Sequence, residues 1–114
     1  MREVVVTGYG IVSSLGNDLK AVTESLKNSA SGISINEVNK ELGLRSYISG
    51  SIKNLDLKEE IDRKLYRFMG DAAAYAYISA KEAIDNANLP DEVLNDFRTG
   101  IIMGSGGASS EDQI

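Results

Sequence analysis

Three stretches predict an α/β fold. Glu3 to Thr7, EVVVT, places three valines between charge and glycine, the composition of a short strand buried on both faces. Arg98 to Met103, RTGIIM, has the same character near the other end of the chain. Between them, Asp62 to Leu89, DRKLYRFMGDAAAYAYISAKEAIDNANL, is a long alanine-rich helical stretch that stops at Pro90. Buried strands separated by helical segments are the pattern of a mixed or parallel sheet with helices on its faces.

The bulk composition bounds this reading. A chain of 114 residues suffices for one core, and a 42% hydrophobic content is globular rather than disordered. The net charge of −5 argues against a general nucleic-acid binder. Cysteine and histidine are both absent. That removes disulfides, a thiolate nucleophile, Cys and His metal ligands and the commonest general base. No apolar run approaches the roughly 20 residues of a membrane span, and the start MREVVV lacks the shape of a signal peptide. A reducing, cytoplasmic setting is the expectation, with no nucleic acid and no membrane as partner.

Taken in order, the first strand runs into Gly8-Tyr9-Gly10. A strand entering a glycine turn raises the dinucleotide fingerprint GxGxxG, but Ser13 stands where the third glycine belongs. The next helix begins only after Gly16, too late to place a pyrophosphate on its amide groups. Glycines that let the chain turn are the simpler reading. Asn17 is a suitable N-cap and Asp18 suits the first turn. Leu19, Val22 and Leu26 then form one apolar stripe, predicting a helix over 18–28. Ile33 to Ile35 is a short extended piece, Glu37 to Leu42 a turn of helix, and Arg45 to Ile52 an edge strand or ordered loop. Asp56 and Glu59 form a capping-box pattern, so the long stretch has two possible helix starts, near Leu57 and after Asp62. At about 100° per residue, Leu65, Met69, Ala72, Ala76, Ala80, Ala83 and Ala87 share one face. Small side chains there suit close packing on a neighbouring layer. Asp91 to Asp96 reads as a short helical turn. Gly104 to Ser110, GSGGASS, is a glycine-rich loop at the carboxyl end of the second strand, where open α/β sheets place ligands.

Few residues carry chemistry. Asp62, Asp71, Glu82 and Asp85 read as solvated carboxylates with nothing pairing them across a cleft. Ser13, Ser14, Ser105, Ser109 and Ser110 have no histidine to activate them. Arg63, Lys64 and Arg67 are a basic cluster at a helix start, where positive charge costs a few tenths of a kcal/mol per residue. They are either neutralised by Glu59, Glu60 and Asp62 or form a docking patch for an acidic partner.

Four motifs together resemble the β-ketoacyl-acyl carrier protein synthases, the synthase I type above all. They are VVVTGYGIVSSLGN, SGI at Ser31 to Ile33, IDRKLYRFMGDAAAYAYISAKEAI and IIMGSGGASS. The resemblance spans essentially the whole chain, in order. It implies the thiolase fold, two related α/β halves stacked as α/β/α/β/α layers and assembled as a homodimer. It implies acyl-chain elongation in fatty-acid biosynthesis, by decarboxylative condensation of malonyl-carrier protein with an acyl thioester on a cysteine, supported by two histidines. No cofactor is implied beyond the phosphopantetheine on the carrier. On this resemblance residues 1–114 are an incomplete N-terminal segment of the first half-domain, and the catalytic Cys and His lie beyond Ile114. Lys64 and Arg67 match the basic residues of the carrier-protein docking site, with Arg63 beside them. Where some members carry another basic residue after the arginine, this chain has Phe68. Gly107 matches the position lining the acyl pocket near the dimer interface, in the loop Gly106-Gly107-Ala108. Three functions stand: a segment of a condensing enzyme, a stand-alone non-catalytic domain that binds carrier protein or a synthase partner, and a nucleotide-binding module using Gly8–Gly16 or Gly104–Gly107.

Overall fold

The computed structural model describes residues 2–107. Its first helix, α1 (Leu19–Lys27), starts one residue later than expected: the Asp18 carboxylate is the cap, accepting the Ala21 N–H at 2.7 Å. Asn17 is committed elsewhere, its Nδ2 donating to the carbonyls of Lys53 and Asn54 at 2.7 and 3.2 Å. Of the α1 stripe, Val22 is buried, Leu19 is half-buried and Leu26 is exposed. Two short strands follow, β1 (Ser34–Ile35) and β2 (Ile48–Ser49), paired antiparallel with Ser34 opposite Ser49 and Ile35 opposite Ile48. The intervening α2 (Glu37–Glu41) is capped by Asn36, whose side chain accepts the Asn39 N–H at 3.1 Å.

Both helix starts foreseen near residue 60 are used, by separate helices. Asp56 caps α3 (Leu57–Glu60) through the Lys58 N–H at 2.9 Å, and Asp62 caps α4 (Arg63–Tyr66) through the Lys64 N–H at 2.8 Å. The main helix, α5 (Asp71–Asn86), begins afresh after an extended Gly70. The continuous helix expected from Asp62 to Leu89 is therefore broken at residues 67–70. Glycine in a helix interior costs about 1 kcal/mol, and the break turns Met69 into an apolar cluster. That cluster is Leu57, Ile61 and the fully buried Ala74, packed round by Leu55, Tyr66, Met69, Tyr75 and Ile78.

The break also resets the helical phase. Leu65, Ala72 and Ala80 of the expected alanine face are exposed, while Ala74, outside that face, is buried. The far end of the face behaves as expected: Ala83 and Ala87 lie close against Gly8 and Gly10. Asn88 ends α5 by entering the left-handed region at φ 50°. Its N–H bonds the Asp85 carbonyl at 3.1 Å, and the Leu89 N–H bonds that of Ile84 at 3.2 Å. Pro90 then precedes α6 (Asp91–Leu94), shorter than the expected 91–96.

The two buried strands expected at Glu3–Thr7 and Arg98–Met103 do not form among the described residues. Val4 is 90% exposed and Ile102 completely so. A strand exists only through its ladder partners, and neither stretch has one among the described residues, whose sheet is β1 and β2. The architecture is thus mixed helix and short strand. The Cα radius of gyration is 17.0 Å, against roughly 13 Å for a compact domain of this length.

Candidate functional site

The basic cluster is built by one cap. Because Asp62 fixes the start of α4, Arg63, Lys64 and Arg67 fall on a single turn of helix, with Arg63 and Arg67 four residues apart and hence neighbours. All three side chains are exposed. The local neutralisation considered for them does not take the form of ion pairs. Among the described residues the salt bridges are Lys27–Glu24 and Lys40–Glu37, each at 3.5 Å, and Arg98–Asp96 at 3.0 Å. The Asp62 carboxylate is occupied as a cap. Lys20, Lys53, Lys58 and Lys81 lack ion pairs too, but only residues 63–67 hold three cations within five positions. Arg98 differs in kind. Its guanidinium donates to both Asp96 oxygens, at 3.0 and 3.2 Å, which holds that carboxyl below its ordinary pKa and raises the arginine's. Arg67 is held by an aromatic ring rather than by an acid: its Cζ lies 4.4 Å from the centroid of Phe68.

The glycine loop is a separate exposed feature. The Ser105 hydroxyl donates to the Gly107 carbonyl at 2.6 Å, which bends the chain over residues 105–107. A Cβ built on Gly104, Gly106 or Gly107 would meet nothing within 4 Å, and none of the three has a positive φ. Neither strained backbone nor close packing accounts for these glycines among the described residues. Ala108, Ser109 and Ser110 lie outside the described residues. Among the described residues, no hydrogen bond or ion pair joins this loop to the basic cluster.

The first glycine segment serves packing. A methyl group on Gly10 would collide with the Ser79 carbonyl and come within 2.8 Å of the Ala83 nitrogen. Ser13 and Gly16 close a tight turn by mutual backbone hydrogen bonds of 2.8 and 3.2 Å, and α1 begins three residues later. The Ser13 and Gly16 amides are thus spent within the turn.

Glu82 is the polar residue that sequence reasoning misplaced. It is half-buried, not solvated. Its two oxygens accept the N–H groups of Ile11 at 2.9 Å and Leu19 at 2.7 Å. One turn along, Asn86 accepts the Tyr9 N–H at 3.3 Å. The N–H groups of Tyr9 and Ile11, two residues apart on an extended segment, thus meet acceptors four residues apart on a helix. No local signal in the sequence marks this role, because the two N–H partners lie 71 and 63 positions away. Beside it, a cleft of about 780 Å³ is lined by Lys20, Glu60, Lys81, Glu82 and Asp85 among others. No group of three or more His, Cys, Asp or Glu able to hold a metal occurs among the described residues. No described helix is long and apolar enough to cross a membrane.

Comparison with known proteins supplies the family. Residues 1–114 match the profile described as "Beta-ketoacyl synthase, N-terminal domain". Over its full length the chain is 47% identical to 3-oxoacyl-[acyl-carrier-protein] synthase 1 of Haemophilus influenzae and 45% identical to that of Escherichia coli. It is 33% identical, over 92% of its length, to 3-oxoacyl-[acyl-carrier-protein] synthase 2 of Staphylococcus aureus. The chain spans 28% of the length of the synthase 1 relatives and 25% of that of the synthase 2 relative. With residues 1–114 matching this family's N-terminal domain profile, the chain belongs to the β-ketoacyl synthase family.

Proposed function

We propose that this chain is the N-terminal part of a type 1 3-oxoacyl-acyl carrier protein synthase, a cytoplasmic acyltransferase of fatty-acid biosynthesis. The observation that carries this is the full-length identity of 44–47% to type 1 relatives, against 33% to type 2. In this reading residues 1–114 open the first half of a layered thiolase-like fold, which works as a homodimer. The Cys and His residues of the condensation lie in the remainder of the polypeptide. These residues contain neither type, so they supply recognition and scaffold rather than the reacting groups.

Arg63, Lys64 and Arg67 dock the acidic carrier protein. Three exposed cations without ion pairs on one turn attract an acidic partner and set its approach. Charge reversal tests this in the full-length enzyme. Lys64→Glu with Arg67→Glu raises the KM for carrier-borne substrate on the order of ten-fold, and the native rise of KM with salt is lost. An unchanged KM rejects the docking role.

Gly106 and Gly107 form the wall of the acyl pocket on the dimer side. The match of Gly107 within the motif IIMGSGGASS supports this, and Gly107 has no positive φ that would by itself require glycine. Gly107→Ile slows reaction with long acyl chains more than with short ones, and equal slowing of both rejects the assignment. A reading frame that continues past Ile114 into a Cys and two His bears out the enzyme reading, and a stop codon there sinks it in favour of a stand-alone, non-catalytic domain that binds carrier protein or a synthase partner.

A further inference from the structure

We propose that Phe68 is a fourth member of the docking surface: its ring holds Arg67 in place and offers an apolar contact to the acidic carrier. The inference rests on the docking reading above and extends it from charge alone to a mixed aromatic and basic surface. Phe68 is 77% exposed and takes no part in the apolar cluster that its neighbours Tyr66 and Met69 join. The break between α4 and α5 turns it outward: its N–H bonds the Leu65 carbonyl at 3.1 Å, while that of Met69 bonds the Tyr66 carbonyl at 2.9 Å. The Arg67 guanidinium lies 4.4 Å from the ring centroid, within the range of a cation–π contact.

Two consequences follow from this geometry. A long arginine held against a ring loses less side-chain freedom when a carboxylate binds it, so less of the attraction is spent on ordering. Desolvation of the ring edge adds an attraction that salt does not screen, unlike the charges of Arg63 and Lys64. Aromatic and arginine side chains are the usual energetic centres of protein interfaces. The occupant is set by charge. Arg67 lies over the ring and Arg63 and Lys64 sit on the helical turn just before it, so the partner presents carboxylates beside an apolar side chain.

The test uses the full-length enzyme and compares substrate on carrier protein with the same acyl groups on a small thioester that has no carrier. Phe68→Ala raises the carrier KM about three- to ten-fold, and the rise persists at high salt. Turnover of the small thioester is unchanged, and Phe68→Tyr, which keeps the ring, restores the KM to within about two-fold. By contrast, the KM penalty of Lys64→Glu shrinks as salt is added. An unaltered KM in Phe68→Ala alongside a raised KM in Lys64→Glu overturns the proposal and leaves the docking patch standing. An unaltered KM in both variants removes the docking reading itself. Equal losses with both substrates assign Phe68 to the fold and also overturn the proposal.

Discussion

At the scale of single residues, Glu82 shows how a polar side chain can carry architecture. On a helix surface its sequence neighbourhood, KEAID, looks solvated. Its oxygens instead bind the N–H of Ile11, 71 positions away, and that of Leu19, 63 positions away. Nothing local announces such pairs. Hydrogen bonds to a charged acceptor each contribute about 1.5–3 kcal/mol, reduced here by partial exposure. Glu82→Ala is expected to cost about 1–3 kcal/mol, read as a lower urea midpoint. Glu82→Gln, which keeps one acceptor oxygen, costs less. Equal midpoints for all three proteins would show that the clamp contributes nothing to stability. The basic residues were legible for the opposite reason. Arg63, Lys64 and Arg67 lie within one turn, so their spacing locates them, and among the described residues none of Glu59, Glu60 or Asp62 forms an ion pair with them.

At the scale of elements, several helix starts were legible, but the break before α5 and the helical phase that follows from it were not. Asp56, Asp62 and Asn36 cap the helices that their local sequence indicates, because a cap is a contact of two or three residues. The alanine face failed at its first half because it assumed one rigid helix through Gly70. With helical order restarting at Asp71, Ala74 and Ile78 take the core and Ala72 and Ala80 go to solvent. The second half, Ala83 and Ala87, packs on Gly8 and Gly10. There the small residues on the helix meet the small residues on the extended segment, and backbone approaches backbone.

At the scale of the molecule, the unpaired apolar segments dominate. Val4, Val5 and Val6 at one end and Ile101, Ile102 and Met103 at the other are all exposed. Neither segment has a ladder partner among the described residues. Unpaired N–H and C=O groups beside bare valine and isoleucine are a template for association. The isolated 114-residue chain is therefore expected to sediment as oligomers or aggregate. A compact monomer at micromolar concentration would contradict that. The 28% of relatives' length that the chain covers accords with a sheet whose other strands come from elsewhere, and with the proposed full-length enzyme.

The sequence by itself determined local features: the helix starts at Asp56 and Asp62, the place where cations cluster, and an apolar character at residues 3–7 and 98–103 that does not become strand among the described residues. Its motifs also carried the family. Only the tertiary structure decided that Glu82 clamps two distant amides, that Phe68 faces out beneath Arg67, and that the valine and isoleucine segments stand unpaired. The division follows the range of the forces. Capping, propensity and charge clustering act over a turn of chain and are written in neighbouring residues. Ladder pairing and side-chain clamps need partners tens of residues away, and whether such a partner is present is a property of the assembled fold.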